Sequence, residues 1–185
     1  MSDSILGNIG IVGNGSWGTA LAKILTDNGH KIHWWVRNKE AMNHLATRHN
    51  NPHYLTSVRF AQQSIMPTDN LESLLSHCNT VIVAVPSAYA QSVIESVGRS
   101  LWHGKYIVSA IKGILPDSNL LLNDYLAKDN SFDLNSYVAI TGPCHAEEVA
   151  QERLSYLTFS GLDDNLTGQV AKAFYTSYIH TTHNH

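Results

Sequence analysis

Residues 13–18, Gly13-Asn14-Gly15-Ser16-Trp17-Gly18, form a GxGxxG pattern whose chemistry is that of an anion cradle. In such a pattern Gly13 permits a tight turn, Gly15 lets backbone approach a pyrophosphate, and Gly18 lets the following helix pack against the preceding strand. The free N–H groups that open the helix supply donors and a positive field for phosphate. Short glycine patterns also arise by chance, so the reading rests on context. An apolar, strand-like run precedes the pattern, an amphipathic helix follows it, and a second strand begins at Lys31, which makes a strand–helix–strand unit of the size a dinucleotide site needs. At the end of that second strand, where an NAD-specific site carries Asp or Glu for the ribose hydroxyls, stands Val36-Arg37-Asn38. Arg37 can stack on adenine and pair with a 2′-phosphate, so the pattern admits NADP as well as NAD.

Other reactive residue types carry less. Cys144-His145 imitates a thiol beside its base, but chain neighbours on a strand or helix point apart, and the pair reads as the start of a helix near a ligand. His49 with His53, and His180 with His183 and His185, lack a Cys or carboxylate at ligand spacing, so no metal is expected. Tyr89, just after Pro86-Ser87, suits either stacking on a cofactor or ordinary packing. Glu147 and Glu148 suit the first turn of a helix, where the dipole favours acids.

The elements that position these residues alternate along the chain. Short β-branched runs at residues 9–12, 32–36, 81–85, 106–108, 138–140 and 157–159 read as strands. The run at 80–85 is apolar on both faces, which a sheet tolerates when helices cover both sides. Between the runs lie stripes at helical spacing: Trp17, Ala20, Leu21, Ile24 and Leu25; then Leu71, Leu74, Leu75 and Cys78; then Ala90, Val93, Ile94 and Val97; then Leu121, Leu122, Tyr125 and Leu126. Asn28-Gly29 is placed to close the first helix. Residues 49–66 read as loop with a short strand near its end. The pattern predicts an α/β fold, a Rossmann-type, doubly wound, mainly parallel sheet with helices on both faces, as one dinucleotide-binding domain over residues 1–185.

Composition narrows the function classes. There are 12 Lys and Arg against 15 Asp and Glu, a formal charge of -3, and no basic run interleaved with aromatics, which argues against a nucleic-acid partner. Two cysteines make no disulfide framework, and no stretch reaches the roughly 18 apolar residues of a membrane span. With no signal-like N-terminus, a cytoplasmic setting is expected.

Four motifs in order resemble the bacterial-type NAD(P)-dependent glycerol-3-phosphate dehydrogenases. Gly13-Asn14-Gly15-Ser16-Trp17-Gly18-Thr19-Ala20-Leu21-Ala22 is similar to the family's cofactor loop, Ala84-Val85-Pro86-Ser87 to its fourth-strand end, Ile111-Lys112-Gly113-Ile114 to its lysine–glycine motif, and residues 142–150, opening Gly142-Pro143-Cys144-His145-Ala146, to its substrate edge. The resemblance implies hydride transfer between NAD(P)H and dihydroxyacetone phosphate, giving glycerol 3-phosphate for glycerophospholipid synthesis, by a protein that is a homodimer at full length. It implies that Ser16, Trp17, Arg37, Lys112 and Ala146 contact cofactor and that Lys112, Gly142 and Cys144 contact substrate. An ammonium at Lys112, just past a strand's carboxyl end, can attract phosphate or polarise a carbonyl oxygen.

Two features depart from that family. Cys144 stands where Ser or Thr is usual, which replaces a hydroxyl hydrogen bond by a weaker thiol one. Members of the family continue into a helical substrate domain with a proton-accepting lysine; that domain is expected to be absent from this chain, with residues 175–185 as the strand and connection that would lead to it. These residues alone are therefore expected to bind cofactor with little or no turnover, since removing hydride from an alcohol needs a base for the hydroxyl proton. Two other readings use the same fold: a non-catalytic NAD(P)-sensing module, which has no need of Lys112, and a related two-domain hydroxy-acid dehydrogenase.

Overall fold

Short runs of β-branched and aromatic residues, apolar on both faces, make the sheet on which everything else is hung. The structure is a computed structural model that describes residues 5–128 and 132–184. Among these the strands are β1 (Ile9–Val12), β2 (Ile32–Trp35), β3 (Ile65–Thr68), β4 (Thr80–Val83), β5 (Tyr106–Ser109), β6 (Tyr137–Thr141), β7 (Ser155–Gly161) and β8 (Ile179–Asn184). They form one sheet in the order β3-β2-β1-β4-β5-β6-β7-β8. The six from β3 to β6 in that order are parallel; β7 runs antiparallel to β6, and β8 parallel to β7. The helices are α1 (Ser16–Asp27), α2 (Lys39–Arg48), α3 (Leu71–His77), α4 (Ser87–Glu95), α5 (Leu122–Ala127), α6 (Ala146–Ala150) and α7 (Asp164–Ala173).

Alternate strand residues feed two cores on opposite faces. Ile11, Ile82 and Val108 pack with Leu21 and Ile24 of α1 and with Leu166 and Val170 of α7. Val12, Val81, Val83 and Ile107 pack with Leu74 and Leu75 of α3, Ile94 of α4 and Tyr125 of α5. A strand whose successive side chains enter different cores needs apolar residues in succession, which is the pattern of Val81, Ile82 and Val83 in β4. The doubly wound class expected from the sequence is the one found.

Strand ends differ by one or two residues from the sequence expectation. β4 stops at Val83 because Gly13, at φ 114°, turns its neighbour β1 out of the sheet; Ala84 N–H still donates to Val12 O at 2.9 Å and the ladder then ends. β2 likewise stops at Trp35, with Val36 N–H making a last bond to Thr68 O. Leu121, expected within a helix, is the N-cap of α5 in extended conformation and is about half exposed. Of the segment expected as strand and connection, residues 175–178 are irregular and residues 179–184 join the sheet as β8, which pairs with all but the last residue of β7.

Two helices were not expected. α2 buries only Ala41 and Leu45, too few for a stripe, and is set instead by its ends: Asn38 Oδ1 accepts from Ala41 N–H at 2.8 Å, and His49 closes it in the left-handed region at φ 58°. α7 is likewise capped by Asp163, which accepts from Leu166 N–H at 2.8 Å. The closure of α1 is as expected: Gly29, at φ 82°, donates to Thr26 O and His30 to Leu25 O, the paired bonds of a Schellman motif.

Candidate functional site

Four chain segments leave the carboxyl ends of parallel strands and line one cleft of about 420 Å3. They are Gly15, Ser16 and Trp17 after β1; residues 84–87 after β4; Ala110 and Lys112 after β5; and residues 144–147 after β6. β1 and β4 are the pair at which the strand order reverses, the place where open α/β sheets take ligands.

The glycine loop is shaped for an anion. Gly15 caps α1 in an extended conformation with no side-chain hydrogen bond, and the first turn carries no acid, so the positive end of a 12-residue helix is offered to the cleft. A Cβ on Gly15 would meet nothing within 4 Å, which leaves open space where a pyrophosphate needs to approach backbone. A Cβ on Gly18 would lie 2.5 Å from Gly13 O, so Gly18 is needed for helix to reach loop. A Cβ on Gly13 would lie 2.8 Å from Ala84 O, so the turns after β1 and β4 touch. These features fit a dinucleotide, for which Gly13, Gly15, Ser16 and Gly18 would hold the phosphates.

One cation stands at the rim and a second lies beyond β2. Lys112 is exposed, its Nζ 5.9 Å from the Trp17 ring centroid, and its residue also borders a second, larger cavity of about 760 Å3 with Ser109, Tyr137, Thr141 and Gly142. Arg37, exposed beyond β2, lies with its guanidinium carbon 5.9 Å from the Tyr89 ring centroid. The expected cofactor and substrate residues thus fall into three groups: the loop with Trp17, Lys112, Cys144 and Ala146 around the first cleft, Arg37 with Tyr89 beyond β2 and at the start of α4, and Gly142 in the second cavity.

Cys144 lines the first cleft, yet its residue is buried and its Sγ donates to Tyr156 O at 2.9 Å. Burial pushes its thiol pKa up, partly offset by hydrogen bonds from its surroundings. A neutral thiol with its proton already placed is a poor donor to a ligand. Among the described residues no three His, Cys, Asp or Glu gather as a metal site; His183 lies 3.3 Å from Asp164, and His180 meets Tyr156 edge-on and Tyr175 at a tilt. His185 lies outside the described residues.

Sequence reasoning missed the residues that hold the loop from behind. Trp34 Nε1 donates to Gly13 O at 2.9 Å, Asn51 Nδ2 to Asn14 O at 2.7 Å, and Thr19 Oγ1 to Gly15 O at 2.9 Å. Trp34 and Thr19 are adjacent to the loop in the strand–helix–strand unit; nothing local marks Asn51, which arrives from the segment expected as loop.

With this geometry in place, comparison with known proteins is decisive. Residues 8–167 match the family model for the N-terminus of NAD-dependent glycerol-3-phosphate dehydrogenase. The chain belongs to this family. The cofactor of this dehydrogenase domain is NAD or NADP. The NAD(P)+ glycerol-3-phosphate dehydrogenase of Streptococcus pneumoniae (strain CGSP14) is 34% identical over 172 residues, 92% of this chain and 51% of that protein. The chain therefore spans about half the length of the curated relatives it matches. Among solved structures, glycerol-3-phosphate dehydrogenase from Coxiella burnetii superposes with a TM-score of 0.87 at 23% identity, covering 97% of this chain and 54% of its own. That from Plasmodium falciparum superposes with a TM-score of 0.80 at 22% identity, covering 97% and 52%. At such identities the two structures speak for the fold. Among the described residues no helix is long and apolar enough to cross a membrane.

Proposed function

We propose that residues 1–185 are the cofactor-holding domain of a glycerol-3-phosphate dehydrogenase that interconverts dihydroxyacetone phosphate and glycerol 3-phosphate for glycerophospholipid synthesis. The observation that carries this reading is Lys112, which borders both the glycine-loop cleft and the larger cavity beside it. A cation at that junction is placed to touch a nicotinamide-side ligand and a phosphorylated substrate together.

The roles follow from position. Gly13, Gly15, Ser16 and Gly18 hold the pyrophosphate at the start of α1; Trp17, Lys112 and Ala146 flank the cleft; Arg37 stacks on adenine above Tyr89 and meets a 2′-phosphate when one is present. When bound, the nicotinamide supplies or accepts the hydride. Lys112 draws the substrate phosphate or polarises its carbonyl oxygen, Gly142 lines the substrate side, and Cys144 contributes shape rather than a proton because its thiol already serves Tyr156. The second cavity is bordered by Leu121 and Leu162, both at least half exposed or nearly so, and this apolar rim supports closure by the part of the protein that the longer relatives carry. Removing hydride from the alcohol needs a base for the hydroxyl proton, and the resemblance puts that base in the further length of the longer relatives. By the same resemblance the full-length protein works in the cytoplasm as a homodimer.

The test is a titration with NADPH and with NADH, followed by quenching of Trp17 and its neighbours, beside an Arg37→Glu variant. Saturable binding is expected, with NADPH weakened about tenfold or more by the charge reversal and NADH affected less. Absence of binding by either nucleotide overturns the reading.

A further inference from the structure

We propose that Asn51 is a positioning residue for phosphate binding: its buried amide fixes the Asn14 peptide and so aims the N–H groups of the glycine loop into the cleft. The inference rests on the reading of that cleft as the cofactor's place and adds a residue outside the glycine pattern to it.

An Asn side chain has two N–H donors and an oxygen with two lone pairs. Asn51 uses all of them. It is 1% exposed; Nδ2 donates to Asn14 O at 2.7 Å and to Thr19 Oγ1 at 2.8 Å, while Oδ1 accepts from His53 N–H at 3.0 Å and Tyr54 N–H at 3.2 Å. The last two bonds fold the turn at Pro52 back on itself and lock the amide; the first two deliver it to the loop. A polar group this deeply buried, with every hydrogen bond made, is held in one orientation.

The consequence for the loop follows from peptide geometry. The carbonyls of Gly13, Asn14 and Gly15 each accept from a side chain: Trp34, Asn51 and Thr19 respectively. In a trans peptide the C=O and the next N–H point in opposite directions, so drawing these three oxygens toward protein turns the N–H groups of Asn14, Gly15 and Ser16 the other way. Among the described residues the N–H groups of Asn14 and Gly15 find no protein acceptor, and the space at Gly15 is open. Trp34 and Thr19 belong to the elements flanking the loop, whereas Asn51 comes from the segment between α2 and β3. It is the clip that ties that segment to the phosphate donors. Without it the Asn14 peptide is free to rotate, and the donors lose their common aim.

The experiment separates phosphate recognition from general integrity. ADP-ribose, which carries a pyrophosphate, is titrated by calorimetry, and adenosine, which carries no phosphate, by ligand-observed NMR, against the wild type, Asn51→Ala and Thr19→Val, with thermal unfolding of each. Thr19→Val removes the hydroxyl that links Asn51 to Gly15 O and serves if Asn51→Ala does not fold. ADP-ribose affinity is expected to fall about tenfold to a hundredfold while adenosine changes less than about twofold. Unchanged ADP-ribose affinity, or equal loss for both probes, overturns the role of Asn51. A wild-type chain that binds neither probe overturns the cofactor reading itself.

Discussion

Gly15 and Gly18 belong to one short pattern, yet substituting each with Ala should have different consequences, lost affinity at Gly15 and lost stability at Gly18. Gly15 has φ -67° and ψ -178°, a conformation any residue adopts, and its added methyl would meet nothing within 4 Å. Gly→Ala at a compatible position stabilises by about 0.4–1 kcal/mol through the unfolded chain, but Ala is a poorer N-cap than Gly by a comparable amount, so for a domain of this size Tm should stay within about 2 °C of the wild type. The same methyl would stand where a pyrophosphate oxygen must come within about 2.9 Å of a backbone N–H, so affinity for NADPH should fall at least about tenfold. Gly18→Ala gains about 1 kcal/mol of helix propensity but puts Cβ 2.5 Å from Gly13 O, a backbone atom that no rotamer change can move. Overpacking of this kind costs about 1–3 kcal/mol, so the clash should win and lower Tm by several degrees. Thermal unfolding and nucleotide titration on the two variants measure both. A Gly15→Ala protein that is stable and binds NADPH normally refutes the placement of the phosphates; one that loses stability as Gly18→Ala does refutes the loop geometry.

Two further outcomes follow from buried groups. Burial pushes the Cys78 thiol up to about 11 and raises that of Cys144, so both should resist a thiol-specific chromogenic reagent at pH 8 in the folded protein and react at once in denaturant; rapid reaction of one thiol in the native state would contradict its burial. Burial alone pulls the Lys23 pKa down, but hydrogen bonds and charge from Asp27 and Glu152 outweigh it, and the net shift is upward. The folded state then holds the Lys23 proton more tightly than the unfolded chain. Its contribution is complete below about pH 10.5 and is lost as pH rises past the raised folded value. The Tyr178 hydroxyl, pushed up by burial and by its 2.6 Å bond to Asp27, acts in the same direction. Denaturant unfolding between pH 8 and 11.5 should therefore show an alkaline loss that is smaller in Lys23→Met and in Tyr178→Phe; equal slopes in all three would refute the coupling.

Much of the fold was legible because its signals are local. The apolar run at β4 announced a sheet covered on both faces, and the stripes in α1, α3 and α4 announced their buried sides. α2 was missed because its evidence lies in the cap Asn38, a single residue that also suits ordinary turns, whereas α7 carries a stripe of its own, Leu166, Val170, Ala171 and Ala173, that was legible beside its cap Asp163. The reversal of β7 and the pairing of β8 were not legible, since a strand's direction in the sheet depends on the neighbours it meets in the folded chain.

The site divides along the same line. The sequence by itself determined the glycine loop, the missing acid at Arg37 and the lysine after β5, because a turn, a helix start and a strand end are each defined within a few residues. Only the tertiary structure decided that Lys112 stands between two cavities, that the Cys144 thiol donates a hydrogen bond to Tyr156 O, and that Asn51 reaches back to the loop. Those are contacts between residues distant in the chain. Strand order and register bring them together, and a hydrogen bond is fixed only when both partners have been placed.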